Sequence, residues 1–515
     1  MKKVIVRFII LLFICPLSIK GQEYISRNFI CGYYGGGNSY DSMQYNFGFV
    51  DRRDTGLYFS KKIKSNYDID FSQTSTYSDS SGKPILVWQG CALLDAGTMQ
   101  PIFNGDFSDT KGVNHPVWKF CLKEKWSNGE EVVREYRGTQ GAFFLDRGDP
   151  HSILLVYYRC LSINITDSVH LYTATIDLSG GPGGTPAVVE KSYKPVLEHN
   201  LVPLALNAVR HANGKDWWIL APELRSNRWY SILYDGELHD PVLSKIEGWF
   251  NHSEGTISVS PDGQKIGYVC SGLKDFIILN FDRCTGDLSP YKEGSFPLLS
   301  PGNMGIVFSA FAPGGRFFYL TSKFDIFQFD LESNAFDDDW IPIATFDTAQ
   351  VTEYPFFYKG YFSTIFSGND GHLYVWSFYS LRYIHRIAFP DRHGPSVGWK
   401  QDYYRMEVHP SHFVPTLIDY NMGPLPGSPC ITKTKSSQNK EFILYPNPTS
   451  DIIRTESMVN YLDNVSLKIL NNIGKEVYSG KLRDLYKGIV VRSWRPGIYF
   501  IKVDNQQVAK FIKVD

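Results

Sequence analysis

The chain has 515 residues, and its 52 Lys and Arg nearly cancel its 53 Asp and Glu, so no net field favours nucleic acid or an acidic membrane as partner. Aromatic residues make up 15% of it, with 35 Phe and 32 Tyr, which suits strands more than helices. Its 8 cysteines are too sparse for a disulfide scaffold, and no two are spaced as C-x-x-C, which argues against a zinc knuckle or a thioredoxin-type site.

Lys2, Lys3 and Arg7 precede an apolar run from Phe8 to Leu17, and Ser18-Ile19-Lys20-Gly21 follows with a small residue at its end. This is the pattern of a secretory leader over 1–21. Pro16 interrupts the run, which is too short to span a bilayer, and no later segment is long and apolar enough. The mature chain is therefore expected to have no transmembrane segment.

From about residue 22 to 430 one pattern repeats: a polar turn centred on Gly, an apolar strand, and a further aromatic or β-branched strand. Ser78 to Gly82 precede Pro84 to Trp88, and Arg147 to Pro150 precede Ile153 to Tyr157. Ala212-Asn213-Gly214-Lys215, Ser260-Pro261-Asp262-Gly263, Ala312 to Arg316 and Gly368 to Gly371 open the next four units. In Ser260 to Gly263, Pro261 presets φ, Asp262 bonds its own backbone and Gly263 accepts positive φ, which forces a tight reversal. Glycines 214, 263, 315 and 371 stand 49, 52 and 56 residues apart, the period of a four-stranded blade with loops. Six units are visible, and a first blade around Tyr45 to Ser60, closing with a strand near 404 to 418, makes seven. A closed ring leaves no long bare edge, which favours a β-propeller over a solenoid or paired sandwiches. The segments SVSPDGQKIGYVC and FAPGGRFFYL resemble WD40-like and TolB-type propeller repeats over roughly residues 40 to 420, a likeness that implies a fold and little chemistry.

Residues 431–442 are polar, without apolar periodicity, and read as a linker. Order returns over 443–515, where Leu467 and Ile469, then Tyr499, Ile501 and Val503, alternate with outward residues, and short antiparallel strands predict a small β-sandwich. The tail resembles the type A C-terminal sorting domain of Bacteroidota proteins exported by the type IX secretion system. The matching residues are Leu444-Tyr445-Pro446-Asn447-Pro448-Thr449, Leu470 to Lys475 with Gly474, Pro496-Gly497-Ile498-Tyr499 onward, and Lys510-Phe511-Ile512-Lys513-Val514. The resemblance implies the secretion machinery and its sorting protease as partners, passage through the periplasm, and a product secreted or attached to the outer-membrane surface. Pro446 and Pro448 are expected to fix an extended entry, which keeps the linker clear of the sandwich and accessible to a protease.

No G-x-S-x-G, H-E-x-x-H or G-x-x-x-x-G-K-[ST] is present. Gly180 to Gly184 reads as an inter-blade loop. Asn104 to Gly112 is rich in oxygen ligands but lacks the Gly and final Glu of an EF-hand, so no metal and no cofactor are assigned. Asp262 and Asp370 are expected to cap their own turns. Cys270 and Cys284 flank one hairpin, where pairing and buried free thiols both stay open. The densest candidate for ligand binding is His211, Asn213, Lys215, Asp216, Trp217 and Trp218, since flat rings cover sugar faces and polar groups orient hydroxyls. The same stretch also reads as a tight hairpin with its tryptophans wedged between blades. Two functions follow: an exported propeller that binds a glycan or peptide, or a secreted propeller enzyme (lyase, glycosidase or peptidase).

Overall fold

The computed structural model describes residues 28–32, 47–53, 56–63, 74–107, 122–125, 131–134, 141–160, 169–249, 255–270, 275–296, 307–333, 340–347, 361–377, 383–406, 416–432, 444–455, 466–503 and 506–515, less positions 80, 91, 193, 204 and 473. The expected leader over 1–21 and nearly all of the expected linker lie outside them. The chain divides into two compact units, Met1–Ile431 and Thr432–Asp515.

The first unit is a succession of antiparallel meanders. Asn28–Gly32, Phe47–Arg53 and Gly56–Ile63 form the first blade. Ser75–Ser78, Pro84–Trp88, Ala92–Asp95 and Pro101–Asp106 form the second, and Ala142–Leu145, Ile153–Cys160, Val169–Asp177 and Ala187–Lys191 the third. The fourth is Asn207–Arg210, Trp217–Pro222, Arg228–Tyr234 and Val242–Lys245, and the fifth Gly255–Val259, Lys265–Cys270, Asp275–Phe281 and Leu288–Ser295. Phe308–Phe311, Phe317–Thr321, Asp325–Asp330 and Ile341–Thr345 make the sixth, and Phe362–Ser367, Leu373–Ser377, Tyr383–Ile387 and Trp399–Arg405 the seventh. A parallel bridge, Ala187 to Phe103, joins the outer strands of the second and third blades into one eight-stranded sheet.

Each blade packs on its neighbour, which explains why runs such as Trp217–Pro222 and Phe317–Thr321 are continuously apolar instead of alternating: both faces of the middle strands are buried. Trp218, Leu220 and Trp229 meet Ile266, Tyr268 and Leu279 between blades four and five. Val269, Phe276 and Ile278 meet Phe318, Leu320 and Phe327 between five and six. Leu57 of the first blade lies in one core with Phe366, Tyr374, Trp376 and Ile384 of the seventh, which closes the ring. Innermost strands of adjacent blades are bridged by side chains: Asn207 Nδ2 donates to the Ile257 carbonyl at 3.2 Å, Thr256 Oγ1 to Val307 O at 2.9 Å, and the Ser258 and Ser309 hydroxyls meet at 2.9 Å.

The hairpin turns form as their residues dictate. Asp262 Oδ1 accepts from Ser260 Oγ at 2.5 Å and from Gln264 N at 2.9 Å, and Gly263 sits at φ 69°. Asp370 likewise accepts from His372 N at 3.2 Å and from the Tyr374 hydroxyl at 2.6 Å. Both aspartates cap their own turns.

The segment after the seventh blade departs from the sequence reading. Trp399–Arg405 is the outer strand of blade seven, residues 407–415 of the expected closing strand lie outside the described residues, and residues 416–425 run on without strand structure, Leu417 packing on the core that Leu57 of the first blade shares with blade seven. This strap lies against blades three to five. Thr416 Oγ1 donates to Leu206 O at 3.3 Å, Tyr420 OH to Phe144 O, and Leu425 N to Ala212 O at 2.9 Å. A Cβ placed on Gly263 would collide with Met422 Sδ, and one on Gly214 would lie 2.5 Å from Pro424 N. Gly263→Ala is therefore expected to cost about 1–3 kcal/mol in urea unfolding, from left-handed backbone and strap displacement together. Cys284 pairs with Cys430 just beyond the strap, and Cys270 is buried in the core between blades four and five.

In the second unit, strands Glu476–Lys481, Ser466–Asn471, Gly497–Val503 and Gln506–Lys513 form one sheet, and Leu444–Tyr445, Ile452–Thr455 and Ile489–Val490 a smaller one. Leu467, Ile469, Ile501 and Phe511 of the first meet Ile453 and Ile489 of the second in one sandwich core. The alternation over 443–515 predicts only strands here. The chain also forms the helix Leu482–Lys487, started by Asp484 accepting from Lys481 N at 2.8 Å, and Leu485 completes the core. A helix of fewer than two turns is too short for a periodic signal.

Candidate functional site

The stretch 210–218 forms the first hairpin of blade four, between Asn207–Arg210 and Trp217–Pro222. Asn213 organises the turn: its Oδ1 accepts from Lys215 N at 2.9 Å and Asp216 N at 3.0 Å, and its Nδ2 donates to Asp216 Oδ2 at 2.6 Å. Asp216 receives Arg147 of blade three on Oδ1, at 2.9 Å from Nε and 2.6 Å from Nη2. His211 Nδ1 accepts from Asn213 N at 3.1 Å, and its Nε2 lies 3.2 Å from the Cys284 carbonyl. Both indoles are buried and donate to main chain, Trp217 to Asp146 O and Trp218 to Arg283 O, each at 2.9 Å. The hairpin thus brings His211, Asn213, Asp216 and both tryptophans together as a joint between blades three, four and five. The Lys215 main-chain carbonyl accepts from Arg210 Nη1 at 2.7 Å, and the Arg210 guanidinium lies 3.8 Å over Trp217, with burial lowering its pKa to about 10.

Arg283 is the residue that sequence reading did not single out. It is 3% exposed. Its Nε donates to Arg210 O at 2.8 Å, Nη1 to Asp262 O at 2.9 Å, and Nη2 to His211 O at 3.3 Å and Gly423 O at 2.6 Å. One guanidinium fork ties two blade hairpins to the strap. Burial lowers its pKa, and the nearby Asp262 and Asp419 carboxylates oppose that fall.

A cavity of about 540 Å³ lies at the ring centre, within the roughly 300–1,000 Å³ of small-molecule sites. Innermost strands of blades four to seven contribute Asn207, Ser258, Ser309 and Thr364, and the strap contributes Asp419 and Asn421. Asp419 is the one ionisable side chain among its described lining residues. The candidate hairpin residues do not line it.

Blade seven holds a serine, a histidine and an aspartate in contact. Ser377 Oγ is 2.8 Å from His385 Nε2, and His385 Nδ1 is 3.4 Å from Asp402 Oδ1. Proton placement runs against nucleophilic catalysis. The Asp402 main-chain N–H donates to Nδ1 at 2.9 Å, so that nitrogen is unprotonated and the ring proton sits on Nε2, pointing at Ser377. Ser377 in turn donates to the Tyr383 carbonyl at 2.8 Å. The imidazole is therefore not placed to take the serine proton as a base. His385 is fully buried among Phe346, Phe362 and Trp399, and burial pushes its pKa down to about 3. Among the described residues, no group of three or more His, Cys, Asp and Glu side chains is placed to hold a metal. Gly180 to Gly184 form a largely exposed loop with a short 3-10 turn, and residues 108–112 of the oxygen-rich stretch lie outside the described residues.

The first and last tail motifs meet at one sheet edge. Asn447 Oδ1 accepts from Ile512 N at 2.9 Å and its Nδ2 donates to Lys510 O at 3.4 Å. Thr449 then pairs in parallel with Lys513, with Thr449 N donating to Ile512 O and Val514 N to Thr449 O, each at 2.9 Å. The Pro446-Asn447-Pro448-Thr449 segment thereby covers the edge strand Gln506–Lys513, an arrangement that blunts strand addition. Gly497 faces Lys513 across the strands, and Lys513 is buried. Tyr499 stacks on Phe511 at 5.4 Å and donates to Arg495 O at 2.7 Å. Gly474, at φ 78°, closes the turn after Asn471, where its N–H donates to Asn471 O at 3.0 Å. Tyr445 pairs with Arg454 in the smaller sheet.

No curated relative matches the chain. Among solved structures, a protein from Lactobacillus plantarum is 10% identical, with 76% of this chain and 98% of that chain covered and a TM-score of 0.42. The Cps50 (Swd1) β-propeller domain of Myceliophteria thermophila is 12% identical over 64% of this chain and 86% of that one, at 0.33. PorZ of Porphyromonas gingivalis, a surface component of the type IX secretion system, is 11% identical over 92% and 64%, at 0.31. The seven-blade assignment rests on the sheet order and the inter-blade cores. Residues 443–514 match the family described as Secretion system C-terminal sorting domain, and the chain accordingly ends in a type IX secretion sorting domain.

Proposed function

We propose that the chain is an exported binding protein: a leader over 1–21 takes it across the inner membrane, the sorting domain takes it out of a Bacteroidota cell, and the propeller is the cargo that engages a glycan or peptide. The sorting domain carries the export half of this reading. Its machinery and sorting protease are the partners, and the mature propeller is secreted or held at the outer surface. The binding half is supported by the central cavity, whose hydroxyls, amides and single carboxylate suit hydrogen bonding to an uncharged or cationic ligand and repel an anionic one. Binding is favoured over turnover by the Ser377, His385 and Asp402 arrangement, in which the imidazole donates to the serine.

The test incubates the full-length mature protein with arrays of neutral and anionic oligosaccharides and of short peptides, and follows both retention and product formation. Retention of neutral glycans or peptides without turnover is the expected result. Turnover that disappears in a His385→Leu variant still able to fold would establish the enzyme reading instead.

A further inference from the structure

We propose that the Cys284–Cys430 disulfide is a latch that closes the strap into the ring once the chain has left the reducing cytoplasm, and so completes the wall of the central cavity. This inference is independent of what the cavity binds.

The strap's contacts with the blades are remote in sequence. Tyr420 reaches Phe144 across 276 residues, Thr416 reaches Leu206 across 210, and Gly423 reaches Arg283 across 140. The blades, by contrast, close through hairpins between consecutive strands. Local hairpins order first, and a strandless segment that gains only distant partners orders last, because its loop must close before any contact rewards it. The receiving surface is nevertheless already shaped for it: the hairpin glycines Gly263 and Gly214 leave room for Met422 and Pro424 that any side chain would fill.

The disulfide removes the opening motion that such a segment would otherwise have. Cys284 lies in the turn after Asp275–Phe281 of blade five, beside the Arg283 fork that grips Gly423, and Cys430 follows the strap directly. With a sequence separation of 146, the bond confines a long loop. In forming it, the two thiols give up two protons and two electrons to a disulfide-bearing oxidant, which becomes a dithiol. The strap residues Leu417, Ile418, Asp419, Asn421 and Met422 then line the cavity opposite the strands of blades five to seven. Opened, the latch frees that wall and withdraws Ile418, Tyr420 and Met422 from the cores between blades, while the strand pairing within each blade remains.

Hydrogen exchange on the full-length mature chain tests this, comparing the oxidised protein with the same protein reduced under native conditions and with the double variant Cys284→Ser, Cys430→Ser. Exchange at Leu425, whose N–H donates to Ala212 O, is expected to rise about tenfold or more with the bond open, while amides of the Lys265–Cys270 and Asp275–Phe281 pair keep their protection. Unchanged exchange at 416–425 in both open forms would overturn the latch. So would an equal loss of protection across blade five, which would make the disulfide a brace for the whole ring.

Discussion

Replacing Arg283 by Ala is expected to lower the stability of the propeller by about 3–5 kcal/mol, read from urea unfolding of the full-length chain. The side chain is 3% exposed, and its loss leaves four carbonyls, those of Arg210, His211, Asp262 and Gly423, without the donor they share. Arg283→Lys retains a charge but presents one ammonium where a planar fork spans three chain segments, so it recovers less than half of the loss. A cost below about 1 kcal/mol for the alanine variant would show that the strap holds without the fork.

The second large effect is on acid stability. His385 is fully buried, with its pKa pushed down to about 3 in the folded state from the ordinary 6.5. Between those values the unfolded chain binds the proton and the folded chain does not. Stability contributed at this site is therefore complete above about pH 6.5 and falls by about 1.4 kcal/mol per pH unit below it, reaching a loss of about 4–5 kcal/mol near pH 3. His385→Leu is expected to lower stability at pH 7, because Ser377 and the Asp402 N–H lose their partner, and to flatten the slope between pH 6.5 and 3. Unfolding midpoints of both proteins across that range give the comparison, and parallel slopes would assign the acid sensitivity to other groups.

What the sequence made legible follows the range of the interactions involved. The turn at Ser260 to Gly263 and the strands Lys265–Cys270 and Phe317–Thr321 are set by neighbouring residues, so periodicity and turn chemistry reveal them. Alternation of Leu467 with Ile469 and of Tyr499 with Ile501 likewise marked the sandwich core. The strap was not legible. Ile418, Tyr420 and Met422 alternate with Asp419 and Asn421 at a strand's period, yet they form no strand, because they fill gaps between blades far away in the chain. The same holds for Cys284, whose partner Cys430 is nowhere near it in sequence, and for Arg283, which sits in an ordinary turn and gains its role from the distant carbonyls of Arg210, His211 and Gly423. In the hairpin 210–218, residue types suggested a sugar platform. Local chemistry alone does not say whether the rings face solvent or the next blade, and here Trp217 and Trp218 face inward. The tail differs again: Asn447 and Lys510 to Lys513, far apart in the chain, are brought to one sheet edge, so the spacing of its motifs records contact across the sheet.

The measurement closest to the central claim is fractionation of cells producing the chain cut after residue 442. The account predicts a propeller that remains folded and protease-resistant but stays in the periplasm, while the full-length chain reaches the surface or the medium. Delivery of the truncated chain to the surface at the full-length level would contradict it.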